Sequence, residues 1–295
     1  GPNGLGEVIV LDRFVGSTTA TGRDGYADTV YAGDQNGAVW KFDLRSASPA
    51  AQTTPFFIAT DAAGDRQAIT GGFEAASGPR SGVMLYFGTG SFSFVNDPTD
   101  KQVQTFYGVL DTGTSVTRAD LQQQSVLTQA TGSRTTSMLA MGAGKKGWYI
   151  NLLVGSVGTG ERFVGTPRVE SGIVFFATFD PNSTDACATG GTNRLYGLSA
   201  LNGAAALSYV RVGTPDGTSP GTGTGAINLS TTGSAPVRDI AVLTSSRQGL
   251  LPDTATSTEV DKALDARCMM VVQTPGSQPL YLRRPCGRQS WRQVR

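Results

Sequence analysis

Residues 28–44 read DTVYAGDQNGAVWKFDL, and this stretch decides the fold. It has the pattern of a β-hairpin. Val30 and Ala32 alternate with Tyr31 on the way out. Asp34-Gln35-Asn36-Gly37 makes the turn, with Asn36-Gly37 suited to the φ > 0 positions of a tight hairpin. Val39, Trp40 and Phe42 return to Asp43. The plan recurs over 84–111, where MLYFGTG (84–90) goes out and TFYGVLD (105–111) comes back, and over 172–203, where GIVFFAT (172–178) is answered by NRLYGLSALNG (193–203). One hairpin cannot bury both of its faces, but stacked copies can, so three copies predict a radially repeated sheet. Gly or Ala in the first strand of each copy is expected to let backbones approach near the axis. A β-sandwich with long loops is the competing architecture. At about 40–45 residues per blade, the chain holds roughly four to six blades. Strand pattern begins within ten residues of Gly1, which suggests entry part-way round a propeller whose earlier blades lie upstream.

The composition agrees. The 295 residues include 39 Gly and no His, charged residues are 16%, and the net charge is +1. Gly-rich turns with many β-branched residues point to an all-β protein. The lack of His excludes a Ser-His-Asp triad, a Cys-His pair and His-ligated zinc. A charge near zero gives no reason to expect nucleic acid. Cys187, Cys268 and Cys286 form no CxxC pair; they read either as small buried hydrophobes or, for Cys268 and Cys286, as a disulfide in an exported protein. No apolar run has transmembrane length. Helices are expected over 259–267 after Thr258 and over 118–127 after Thr117. Segments 214–236 and 129–146 read as surface loops.

Several segments together resemble one family: Asp24 to Asp28 running into YAGDQNGAVWKFDL, LYFGTGSF (85–92) with QTFYGVLD (104–111), KGWYINL (146–152) with Gly160-Glu161-Arg162, TPRVESGIVFFATFDPN (166–182), and PCGRQSWRQV (285–294). In this order they are similar to the C-terminal β-propeller of PilY-type proteins, assembly factors and adhesins associated with the tip of type IV pili. The resemblance implies a seven-bladed, modified quinoprotein-like β-propeller, with residues 1–295 as its later blades. It also implies export, a place at the pilus tip or cell surface with minor pilins and the protein's own N-terminal region as partners, and support of pilus extension, twitching motility and attachment to host or abiotic surfaces.

The family carries an EF-hand-like calcium loop, DxDxDGxxD, just before YAGD. Its positions fall here on Ala20, Gly22, Asp24, Tyr26 and Asp28. Ca²⁺ takes six to eight oxygens. Asp24 and Asp28 keep carboxylates and Tyr26 can offer its carbonyl, but Ala20 and Gly22 have no side-chain oxygen. A turn capped by Asp side chains is the simpler reading, so calcium binding is expected to be weak or lost. Trp40, Trp148 and Trp291 could form a carbohydrate platform but are expected to fill space between blades. The five Arg within 283–295 are expected to pair with carboxylates and close the last blade. The Gly-rich stretches at 88–90 and 155–160 lack the Lys-Ser/Thr of a phosphate loop. Two other functions remain open: a quinoprotein-like oxidoreductase, for which no axial carboxylate cluster is evident, and a carbohydrate-binding propeller.

Overall fold

The computed structural model describes residues 4–16, 18–46, 52–181, 190–215, 217–244 and 269–283. The expected helix at 259–267, the three cysteines, Trp291 and the arginines beyond 283 lie outside them. The described residues form four sheets in chain order. The first runs β1 (Leu5–Leu11), β2 (Thr29–Asp34), β3 (Ala38–Asp43), β4 (Phe57–Ile58). The second takes β5 (Glu74–Ser77), β6 (Val83–Gly88), β7 (Thr105–Asp111), β8 (Gln122–Gln124) and β11 (Gly147–Asn151), in the order β5-β6-β7-β11-β8. The third contains β9 (Val126–Ala130), β10 (Ser133–Thr136), β12 (Arg168–Glu170), β13 (Ile173–Asp180), β14 (Gly191–Ser199) and β16 (Thr224–Ser234), ordered β12-β13-β14-β16-β10-β9. The fourth runs β15 (Arg211–Val212), β19 (Leu280–Arg283), β18 (Met269–Gln273), β17 (Ala241–Thr244).

The three hairpins read from the sequence are β2–β3, β6–β7 and β13–β14, all antiparallel. They are inner pairs within their sheets rather than the strands nearest the centre. The centre is made by β1 of the first sheet and by the segments leading into the other three. Thr166 Oγ1 lies 3.3 Å from the Glu7 carboxylate, Gly72 N donates to Gly165 O, and Thr166 N donates to Arg238 O, which links all four sheets. Close backbone approach is needed there. A Cβ on Gly71 would sit 2.6 Å from Gly165 O, and one on Gly165 would sit 2.3 Å from Arg238 O. Crowding was expected in the first hairpin strand; it also occurs there, where a Cβ on Gly88 would meet Phe163 Cβ at 2.5 Å.

Period-2 alternation explains why the sheets stack. Along β6, Val83, Leu85 and Phe87 face the first sheet, whereas Met84 and Tyr86 face the third. Along β13, Val174 and Phe176 face the second sheet, and Phe175 and Ala177 face the fourth. Strands buried on both faces read as continuous apolar runs, as VMLYF (83–87) and IVFFA (173–177) do. The second and third sheets are joined by Phe106 on Phe176, stacked at 3.6 Å. The first and second are joined by a buried polar contact. Asp111, fully buried, accepts the Tyr31 hydroxyl at 2.5 Å and pairs with Lys41 Nζ.

Two expectations are corrected. The helix over 118–127 is one 3₁₀ turn, Arg118–Asp120, followed by β8 and the start of β9. Thr117 does cap it, donating its N–H and hydroxyl to Asp120 at 2.8 Å. So short a helix is marginal by itself, and the open edge of β11 offers Gln122–Gln124 a parallel ladder instead. The loop expected over 214–236 contains β16, inserted between β14 and β10. Ala226, Ile227 and Leu229 are buried there, and bare Gly225 makes room for the Thr136 side chain. Likewise β10 and the end of β9 fall inside 129–146.

The first hairpin turn offers a test. Asp34 is fully buried; its Oδ1 accepts the N–H groups of Asn36 and Ala38 at 2.9 and 2.8 Å, and its Oδ2 accepts Trp40 Nε1 at 2.9 Å. Asp34→Ala strands these donors and is expected to cost about 3 kcal/mol in urea denaturation. A loss under about 1 kcal/mol would show that the turn holds without it.

Candidate functional site

The segment between β1 and β2 carries the sequence-predicted metal residues. Ala20 makes a backbone bridge to Val15, and no atom comes within 4 Å of a Cβ built on Gly22. Asp24 is exposed, and its Oδ1 accepts its own loop's Tyr26 N–H at 2.9 Å. Tyr26 is 76% exposed. Asp28 is buried and accepts the Thr21 hydroxyl. The residue that organises the loop is Asp12, at the end of β1. Its two carboxylate oxygens accept the N–H groups of Asp24 and Gly25 at 2.9 and 2.8 Å. These donors hold the Asp12 carboxyl below the usual carboxylate range.

Donor geometry decides whether a cation fits. Amides of residues 24–26 point at the loop's own carboxylates, and an N–H cannot ligate Ca²⁺. Asp24 and Asp28 supply too few oxygens for a cation that takes six to eight. Among the described residues, no three acidic or cysteine side chains gather as a metal site would need. The loop residues therefore do not fit a calcium site of the family form; they form an Asx-capped turn.

The other candidates disperse. Trp148 is buried between the second and third sheets, as expected. Trp40 sits half-buried on the first sheet and donates to Asp34, so these two share no platform. The Gly88–Gly90 stretch is closed, because a Cβ on Gly90 would strike Arg162 Cβ at 2.4 Å.

Sequence reading missed a buried charge network in the third sheet. Glu161 is 1% exposed. Its Oε2 accepts Arg134 Nη1 at 2.5 Å and Arg194 Nη1 at 3.2 Å, and its Oε1 accepts Thr178 Oγ1 at 2.6 Å and Tyr196 Oη at 3.3 Å. Arg194 also reaches Asp180 at 3.3 Å. Burial pushes the Tyr196 phenol far above its ordinary value. Next along, buried Arg162 donates to three backbone carbonyls, Gly160, Ser91 and Asp100, at 2.7–2.8 Å, which pins the loop after β6 to the strand-entry segment. A pair of adjacent charges, Glu161-Arg162, beside Phe163 in so weakly charged a chain was the available signal.

Stacked sheets whose entry segments converge on a centre, locked by buried polar pairs, define a propeller-like all-β scaffold. The comparisons with known proteins agree. The crystal structure of the Pseudomonas aeruginosa PilY1 C-terminal domain superposes with a TM-score of 0.70, covering 97% of this chain and 62% of that one, at 20% identity. A Type IV pilus biogenesis factor PilY1 homolog from Xylella fastidiosa is 37% identical over all of this chain. Type IV pilus biogenesis factor PilY1 of Pseudomonas aeruginosa is 30% identical over 68% of it. The chain spans about a fifth of the length of these relatives, 21% in both cases. No family model matches. The chain belongs to the PilY-type family, as a C-terminal domain of that type.

Proposed function

We propose that this domain works in a non-enzymatic type IV pilus biogenesis factor and adhesin, exported to the pilus tip and cell surface. There it supports pilus extension, twitching motility and attachment, with minor pilins and the protein's own N-terminal region as partners. Residues 1–295 are read as the later blades of one propeller domain. The observation that carries this reading is the 37% identity, along the entire chain, to a relative named as a type IV pilus biogenesis factor. The fold supports it, since the faces of a rigid propeller suit protein contacts. Among the described residues no helix is long and apolar enough to cross a membrane. The test is removal of residues 4–283 from the full-length protein in its own bacterium. Surface pili and twitching should be lost, and normal piliation would overturn the reading. Dye-linked alcohol oxidation by the purified domain would point instead to the oxidoreductase alternative.

Calcium is a separate part of the proposal. With Asp12 organising the loop, the domain binds Ca²⁺ weakly or not at all through Asp24, Tyr26 and Asp28. Isothermal titration should give no sub-millimolar site, and Ca²⁺ should leave Tm unchanged. Sub-millimolar binding abolished by Asp24→Ala would reverse this conclusion.

A further inference from the structure

We propose that a pocket at the seam between the first and second sheets is a carboxylate-binding site. The pocket has a volume of about 80 Å³ and opens between the end of β1 and the start of β6. Leu11, Ala75 and Val83 give it apolar walls, and Arg13, Arg23 and Asp12 give it charge.

The site is net positive, with two guanidiniums against the single Asp12 carboxylate, which Arg23 partly offsets. Neither arginine forms an ion pair among the described residues. Asp12 is the nearby acid: it feels the Arg23 charge without forming an ion pair with it, and its two oxygens accept the backbone N–H groups of residues 24 and 25. Those bonds fix the backbone immediately after Arg23. Arg13 is held from another direction, its Nη2 donating to the Ser81 carbonyl. Its Nε is buried with no partner.

The backbone beside the pocket is strained as well. Arg80 and Ser81 have φ of 55° and 58°, in the left-handed region that disfavours non-glycine residues. Strain of this kind persists where the surroundings over-determine it, often at binding sites. Here the strained turn presents the Ser81 carbonyl that holds Arg13.

The ligand class follows from this lining. A guanidinium matches a carboxylate in plane and in donor spacing. The apolar walls suit one or two methylenes, which inorganic anions lack. An ordered water needs on the order of 10–15 Å³, so the pocket has room for a short side chain such as that of glutamate. The same arginines oppose a cation in the adjoining loop. The ligand is a carboxylate on a short aliphatic stem, from an acidic side chain of a protein or a free small dicarboxylate.

The probes are the peptide acetyl-Gly-Glu-Gly-amide, its Gln counterpart, and glutarate, titrated into the ¹⁵N-labelled chain. The Glu peptide should bind saturably and the Gln peptide should not. Arg23→Gln, at an exposed position that leaves the fold intact, should weaken binding by about tenfold or more, and Arg13→Gln should do the same. Saturation by glutarate with a silent Glu peptide also supports the site and assigns it to free dicarboxylates. Equal binding of the Gln peptide, unchanged affinity in Arg23→Gln, or no saturation by either carboxylate probe would overturn the proposal.

Discussion

Glu161→Ala is expected to destabilise the domain by about 3–5 kcal/mol, the usual cost of breaking a buried ion pair from one side. The reason is the charge left behind. Arg134 and Arg194 are almost fully buried, with side chains 3% and 7% exposed. Arg194 keeps Asp180, but Arg134 keeps only the neutral Gln129 and Tyr196 side chains. Because Arg134 lies on β10, the β9–β10 hairpin should lose protection first, and its amides should exchange faster than those of β6. Glu161→Gln retains the shape and removes the charge, so it should recover little stability. Urea denaturation of both variants measures the effect. A loss below about 1 kcal/mol for Glu161→Ala would mean that the network contributes no more than a surface pair.

Trp148→Ala comes next, at about 3–5 kcal/mol by the usual cost of truncating a buried Trp. The indole is fully buried, and its Nε1 donates to the Ala200 carbonyl at 3.1 Å. Glycines give it room on two sides. A Cβ on Gly108 would lie 2.6 Å from Trp148 Cε2, and one on Gly203 would lie 2.5 Å from Cε3. Neither backbone can easily collapse into the space, since Gly108 is in the β7 ladder and Gly203 is in a turn with φ of 72°. The Ala200 carbonyl keeps the Tyr86 hydroxyl at 2.9 Å, so the penalty is mainly the cavity. Gly108→Ala should also destabilise, because the added methyl overlaps the ring. If Trp148→Ala melts within a degree or two of the parent, the indole is not part of the core between these sheets.

Both predictions rest on contacts that the one-dimensional pattern did not show. The hairpins did show in it. Asn36-Gly37, the aspartates that end strands and the apolar runs at 83–87 and 173–177 act over a few residues, through turn dihedrals and side-chain alternation. The resemblance to the PilY-type propeller also rested on such local strings, placed in order. The Asp-capped reading of Asp24-Gly25 matches the loop geometry: Asp24 caps Tyr26, and Asp12, twelve residues upstream, adds a second cap that the local sequence did not announce. The missed elements share a cause. β8 pairs in parallel with a strand more than twenty residues later, and β16 enters a sheet between strands from two different segments. Arg134, Glu161 and Arg194 meet across separations of 27 and 33 residues. Nothing in their neighbours announces these partners.

The sequence by itself determined the all-β class, the three hairpins, the faces they bury and the family. Those depend on local backbone preference and on a period of two. The tertiary structure decided where the 112–146 segment goes, which charges are neutralised in the interior and which arginines meet at the first seam. Each of these depends on desolvating groups that meet only once the sheets have stacked.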